Sequence, residues 1–237
     1  MDEAERLGFL AYSKLPVFER CVEAALTVVR EALTLGPAYV AVSWGKDSTT
    51  LLHLVQQINP RVAAIFWTAP HQQLLNDYAG MARRYCARYP HTQYFEIDVE
   101  GDRVPDKVAF TRPWEQYPVA FVGIRAQENR RTRGNALARH GLIHQYKVGE
   151  RAGSWRVAPL GWWDWRAVWA YTVLHDLPYL ASYDDTSAVG RDLSRTCNLV
   201  AKNPSGATQG RLALLRRQSP EYWNQLVERM PWIASLS

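Results

Sequence analysis

The sequence predicts an α/β fold: a parallel sheet with helices on both faces, followed by a mostly helical stretch. Three observations carry this. Short apolar runs alternate with helical patterns up to about residue 140, the mark of parallel strands joined by helical crossovers. Each run is bounded by turn residues and is too short for a buried helix. Beyond residue 160 the apolar spacing is helical.

Taken in order, residues 15–35 predict an amphipathic helix ended by Gly36-Pro37. AYVAVS (38–43) reads as a short buried strand, and 48–58 as a helix with Leu51, Leu52 and Val55 on one face. RVAAIFW (61–67) is a second strand, 71–88 a helix, and TQYFEIDV (92–99) a third strand. VAFVGI (119–124) is a fourth strand and 126–139 a basic helix. IHQYKV (143–148) and WRVAP (155–159) are short strands. Helices are predicted at 163–175, 207–217 and 219–230. The loop 178–206 is rich in Ser, Asp, Gly and Asn, and its length suits a functional or mobile segment. Residues 1–160 are thus read as the α/β domain and 161–237 as a helical extension packed on it.

No apolar run among the 237 residues is long enough to span a bilayer. The opening MDEAERLGFL lacks the basic flank and apolar core of a signal peptide, so the expected location is cytoplasmic. Cys21, Cys86 and Cys197 are odd in number and far apart, which points to reduced thiols. Three cysteines cannot complete a four-cysteine zinc or iron–sulfur site within one chain. The formal charge is +5 and the excess is local. Arg125, Arg130, Arg131, Arg133, Arg139, Lys147, Arg151 and Arg156 face only Glu128 and Glu150. Such a run is either a solvated basic face or a surface for an anionic partner such as a nucleotide or nucleic acid. Five of the ten tryptophans fall at Trp155, Trp162, Trp163, Trp165 and Trp169, where packing and base stacking are both open.

The chemistry concentrates in 43-SWGKDST-49, between the first strand and its helix. A Walker P-loop is excluded, because Val40 stands where its first glycine belongs and Asp47 follows the lysine. The parts of a phosphate cradle are nonetheless present. Gly45 allows close backbone approach, and the amides of 45–49 open a helix whose dipole favours an anion. Ser43, Ser48 and Thr49 offer hydroxyls, and Lys46 a charge. Asp47 either caps the helix or helps to hold Mg²⁺ against the phosphates. Trp44 either contacts the nucleotide or covers the loop.

SWGKDST resembles the S-x-G-K-D-S loop of the PP-loop ATP pyrophosphatases. The resemblance implies a Rossmann-like fold of the adenine nucleotide α-hydrolase type and cleavage of ATP between the α- and β-phosphates. Two further stretches are similar to the phosphoadenosine phosphosulfate (PAPS) reductase branch. In 122-VGIRAQENRRTRG-134, Gly123, Ile124, Arg125, Ala126 and Glu128 match a G-[IL]-R-A-x-E-S-x-x-R element; Asn129 replaces its serine, and Thr132 stands between Arg131 and Arg133 where its later arginine belongs. In 159–184, Pro159, Leu160, Trp163, Val168, Trp169, Tyr171, Leu177, Pro178, Tyr183 and Asp184 match, and Ala167 replaces an aspartate. That branch also includes the small subunit of ATP sulfurylase and components of DNA phosphorothioation systems.

The resemblance implies Lys46, Asp47 and Arg125 as catalytic residues. Ser43, Trp44, Gly45, Lys46, Asp47, Ser48, Thr49, Gly123 and Arg125 would bind the phosphates, and Trp67 would lie near the adenine. Trp67-Thr68-Ala69 replaces the D-T-G seen in relatives there. Glu128, Arg131, Arg133 and Arg195 are candidates for an anionic substrate, and Asp47 for Mg²⁺. The implied function is an ATP pyrophosphatase that adenylates an acceptor in sulfur transfer or nucleic-acid modification. The acceptor or partner is open between nucleic acid and a sulfur-transfer protein, as is a homodimer. One alternative is a sulfonucleotide reductase. The R-x-G-C-x-x-C element of relatives is reduced here to Arg195 and Cys197, with Val200 at the second cysteine position, and the chain ends RMPWIASLS without the E-C-G-[IL]-H tail. Cys197 would then be the thiol nucleophile. Another alternative is a non-catalytic nucleotide-binding subunit.

Overall fold

The computed structural model describes residues 1–68, 77–98, 111–149, 151–184, 191, 212, 216–217, 220–229 and 231–236. Two helices open the chain, α1 (Glu3–Tyr12) and α2 (Pro16–Leu33). Strand β1 (Ala38–Val42) leads into α3 (Lys46–Gln56), and β2 (Ala63–Thr68) precedes α4 (Tyr78–Arg88). Then come β3 (Gln93–Asp98), α5 (Thr111–Gln116) and β4 (Val119–Val122). A 3₁₀ turn (Ala126–Glu128) and a π turn (Arg130–Gly134) run into α6 (Asn135–His140). Strands β5 (Ile143–Gln145) and β6 (Trp155–Val157) follow, then α7 (Trp165–Leu174), a 3₁₀ turn (Ala181–Tyr183), α8 (Pro220–Arg229) and a last 3₁₀ segment (Pro231–Leu236).

The described strands form one six-stranded sheet in the order β3-β2-β1-β4-β6-β5. All neighbours are parallel except β5, which runs antiparallel to β6. The predicted α/β class therefore holds. Side chains alternate across the sheet. Val40, Val42, Ala64, Phe66, Val119, Phe121 and Val157 join one hydrophobic core with residues of α2, α3, α4 and α7. Tyr39, Ala63, Ile65, Trp67 and Ala120 form a second cluster, with Tyr117 and Tyr146 packed against it.

Several expectations are corrected. α3 starts at Lys46, two residues before the predicted 48, because Gly45 is its N-cap and Lys46 and Asp47 lie in its first turn. The predicted helix 126–139 is broken into three pieces. Asn129 interrupts it, since its side chain accepts from the Thr132 amide and starts a new turn. The predicted strand 143–148 shortens to three residues. Helix α1 was not expected; Asp2 caps it by accepting from the Glu5 amide at 2.8 Å. Its Phe9 stacks on Trp169 at 6.2 Å and meets Trp165 edge-on. Residues 71–76 and most of 207–217 lie outside the described residues. Within the predicted extension, α7 belongs to the main core, and Thr172 and Tyr171 bond Thr50 and His53 of α3. Leu212, Trp223, Leu226 and Ile233 make a separate small cluster.

Candidate functional site

The connections leaving β1 and β4 diverge. The chain after β1 crosses towards β2, whereas after β4 it moves to the other half of the sheet. Adjacent parallel strands whose connections part in this way open a crevice at their carboxyl ends, where ligands bind in open α/β sheets. Loop 43–49 and residues 123–128 both lie at this point.

Gly123 lets the two loops meet. A Cβ there would sit 3.0 Å from the Ser48 nitrogen and 3.1 Å from the Asp47 carbonyl carbon, which are backbone atoms that cannot give way cheaply. The close approach brings Arg125 to Asp47, with Nε 2.5 Å from Oδ1. The other carboxylate oxygen lies 3.4 Å from Lys46 Nζ. Lys46 and Arg125 are each only 2% exposed. Burying two cations is severely unfavourable without an opposing charge, and Asp47 supplies it. Burial alone would push the Asp47 carboxyl up, but Lys46 and Arg125 outweigh this and hold it below the usual carboxylate range. Burial likewise works to lower the Lys46 ammonium, and Asp47 and Tyr183 more than reverse it. Asp47 thus joins two cations. It is not the helix cap, which is Gly45.

The open end of α3 is rich in donors. With glycine as N-cap, the N-cap residue itself offers no side-chain acceptor to the first turn. The Tyr183 hydroxyl accepts from the Lys46 amide at 3.2 Å, and Lys46 Nζ lies 5.1 Å from the same ring's centre. Ser48 Oγ accepts from the Ser43 amide and donates to the Gly45 carbonyl, which fixes the turn. Ser43 Oγ lies 3.2 Å from Ser48 Oγ. Thr49 is 2% exposed, and its hydroxyl is buried without a hydrogen-bond partner among the described residues. A buried hydroxyl is unfavourable unless a partner arrives, so this orphan in the first turn of α3 marks a place for a ligand oxygen.

Trp44 resolves one open alternative. Its backbone is in the left-handed region at φ 55°, and its indole has no exposed surface. The ring packs against Tyr85 and Tyr94 at 5.6 and 5.4 Å. Of the two alternatives for Trp44, the side chain takes the second: it covers the loop and anchors it to the core. Trp67 is also a packing group, 7% exposed and edge-on to Tyr39 at 6.0 Å.

Around Arg125, Nη1 donates to Gln127 Oε1 and to the Trp163 carbonyl, and the Arg125 amide donates to Glu128 Oε2. Glu128 also pairs with Arg133. Glu128 and Arg133, both candidates for an anionic substrate, thus pair with each other in the turn behind Arg125, while Arg131 is exposed. Arg195 and Cys197 lie outside the described residues. Among the described residues no group of three or more His, Cys, Asp or Glu could hold a metal. Sequence reasoning missed Tyr183 and Gln127 as site neighbours. Tyr183 matched the shared 159–184 pattern, so the signal was present but read as packing.

The profile of the phosphoadenosine phosphosulfate reductase domain matches residues 37–188. An adenosine 5′-phosphosulfate reductase of Bacillus thuringiensis (strain Al Hakam) is 28% identical over 166 residues, covering 61% of this chain and 66% of that protein. One from Bacillus mycoides (strain KBAB4) is 29% identical over 161 residues, with the same coverage. The match thus spans just under two thirds of these relatives' length. Among solved structures, a PAPS reductase from Candida auris in a phosphate complex gives a TM-score of 0.50 at 15% identity, covering 78% of this chain and 92% of the other. A Candida glabrata FMN adenylyltransferase with FAD and inorganic pyrophosphate gives 0.54 at 14%, covering 80% and 68%. These two likenesses extend to the fold alone. The match over residues 37–188, which include both loops of the crevice, places the chain in the phosphoadenosine phosphosulfate reductase domain family.

Proposed function

We propose that the chain binds ATP at the β1–β4 crevice and cleaves it between the α- and β-phosphates, transferring AMP to an acceptor. The observation that carries this reading is the buried Lys46–Asp47–Arg125 cluster beside the unpartnered Thr49 hydroxyl. The first-turn amides of α3 behind its glycine N-cap, Thr49 Oγ1 and Lys46 are donors suited to the β,γ-phosphates. Arg125 is suited to charge developing around the α-phosphate. An acceptor oxygen attacks the α-phosphorus in line. The bond from that phosphorus to the α–β bridging oxygen breaks, and its electron pair leaves with pyrophosphate. Catalysis is positioning and electrostatics.

The donors fit phosphate directly. Mg²⁺ fits through Asp47, as it needs only one or two carboxylates beside phosphate oxygens and water. Both Asp47 oxygens already face cations, so phosphates that draw Lys46 and Arg125 would free the carboxylate for the metal. Bound there, Mg²⁺ would neutralise charge on the phosphate oxygens.

The names of the curated relatives favour a second reading, reduction of adenosine phosphosulfate to sulfite. It needs a reactive thiolate. Burial pushes the Cys21 and Cys86 thiols up, the opposite of activation, which leaves Cys197.

Incubation with Mg·ATP and candidate acceptors should release AMP, free or acceptor-linked, and pyrophosphate. Lys46→Ala should slow this about a hundredfold or more. ADP and phosphate as products would overturn the reading. Sulfite from adenosine phosphosulfate and a dithiol, lost in Cys197→Ser, would establish the second.

A further inference from the structure

Behind Arg125 lies a groove of about 410 Å³, within the range of small-ligand sites of roughly 300–1,000 Å³. One wall is the face Arg130, Gly134 and Ala138, spaced four residues apart along the π turn and α6. Its small residues leave space opposite Trp162 and Trp163. Trp163 is buried, whereas Trp162 is 58% exposed. The turn that presents Trp162 is tightly held. A Cβ on Gly161 would fall 3.1 Å from the Ala158 carbonyl and 2.5 Å from Leu142 Cδ2, and the Gly161 carbonyl accepts from the Ala126 amide at 2.8 Å. The backbone that carries Trp162 is therefore held at the groove's rim beside the Arg125 turn.

The segment that forms this wall, residues 130–139, carries four arginines and no carboxylate, while Asp164 also lines the groove. Arg130, Arg131 and Arg139 are exposed, and no carboxylate among the described residues pairs with them; the nearby Glu128 is taken by Arg133. The exposed arginines of this segment are spread from Arg130 to Arg139, over more of the chain than one phosphate group requires, and Arg130 itself lines the groove. Asp164 lines the groove and caps α7 through the Ala167 amide, and it can still accept from a base's exocyclic amine. Exposed guanidinium groups without a carboxylate partner among the described residues, on a segment beside an exposed indole and a base-sized slot, match a polyanion that carries aromatic faces.

We propose that this groove binds single-stranded nucleic acid, with a base on Trp162 and flanking phosphates on Arg130, Arg131 and Arg139. A duplex hides its base faces, so the strand must be unpaired or opened. The proposal deepens the ATP reading by naming the class of partner, and rests on it only for what happens to the strand once bound. The groove wall touches the proposed centre directly, because Arg125 Nη1 bonds Gln127 Oε1 and the Trp163 carbonyl.

The test is fluorescence anisotropy of the full chain with a short labelled oligothymidylate, from about 50 to 200 mM salt. Binding should weaken tenfold or more in Trp162→Ala and be largely kept in Trp162→Phe. Ala138→Leu, which fills the groove without touching a charge, should weaken binding to a similar degree. The double variant Arg130→Ala, Arg139→Ala should lower the slope of log K against log salt by about 0.7 for each phosphate no longer neutralised. Circular dichroism of each variant checks folding. No binding at low salt, binding indifferent to both Trp162→Ala and Ala138→Leu, or equal competition by thymidine monophosphate or duplex would overturn the proposal. Lys46→Ala should bind the strand normally, so failure of ATP cleavage and failure of strand binding are separately visible.

Discussion

Arg125 and Arg131 stand six positions apart in one basic run, yet the fold treats them in opposite ways. Arg125 is buried, and the Asp47 carboxylate, Gln127 and the Trp163 carbonyl surround its guanidinium. Arg131 is exposed and unpaired among the described residues. The contrast teaches that a run of like charge is not one feature. What divides it is whether a loop brings an opposite charge to the buried member, and here Gly123 does so by letting β4 reach α3.

The largest expected effect lies at the buried end. Asp47→Ala leaves Lys46 and Arg125 buried without their shared counter-charge, and should destabilise the fold by about 3–5 kcal/mol in urea unfolding. Adding Arg125→Met should recover part of that loss, and the double-mutant cycle measures the coupling. A cost below about 1 kcal/mol for Asp47→Ala would mean that the cluster is solvated like a surface pair, and the contrast would break.

His53 sharpens the comparison, because it is a buried base in α3 whose described hydrogen-bond partners include no carboxylate. Nδ1 lies 2.9 Å from the Tyr171 hydroxyl and Nε2 3.2 Å from Gln57 Nε2, with the His175 ring centre at 4.8 Å. Tyr89 also packs on it, and Arg88 adds a like charge nearby. Burial, then His175 and Arg88, hold the imidazole down at about 4. The unfolded chain, with an ordinary histidine value near 6.5, takes up the proton first as pH falls. Stability should therefore be complete above about pH 6.5 and decline towards pH 4, by up to about 3 kcal/mol. His53→Leu should flatten that slope. Burial raises the Asp47 carboxyl, but Lys46 and Arg125 hold it below the usual carboxylate range, so its own loss of stability sets in at the acid end of this window, as pH falls below about 4.

The alternating apolar runs made the sheet legible, because strands buried on two faces leave little choice of residue. The loop was legible because Gly45, Lys46 and Asp47 have chemistry that needs no distant partner to be noticed. Its internal arrangement was not. That Asp47 would join two cations depends on Arg125 arriving from another strand, and that Trp44 would turn inward depends on Tyr85 and Tyr94. Helix α1 escaped because its partners are Trp165 and Trp169, far along the chain. The break at Asn129 was invisible to periodicity, since one side-chain hydrogen bond causes it.

The smallest expected difference compares Arg131 with Arg133, two positions on. Arg133 pairs with Glu128, whose carboxylate also accepts from the Arg125 amide and is only 11% exposed. Arg133→Ala removes one donor from that half-sequestered group, and should cost about 1 kcal/mol. Arg131→Ala removes a side chain with no partner among the described residues, and should stay within about 0.5 kcal/mol of the parent. Both substitutions delete one positive charge from the same surface turn, so their long-range electrostatic effects nearly cancel in the difference. Matched urea titrations isolate the pair itself. Equal costs would show that the Arg133–Glu128 bond adds nothing to the turn that carries Arg125.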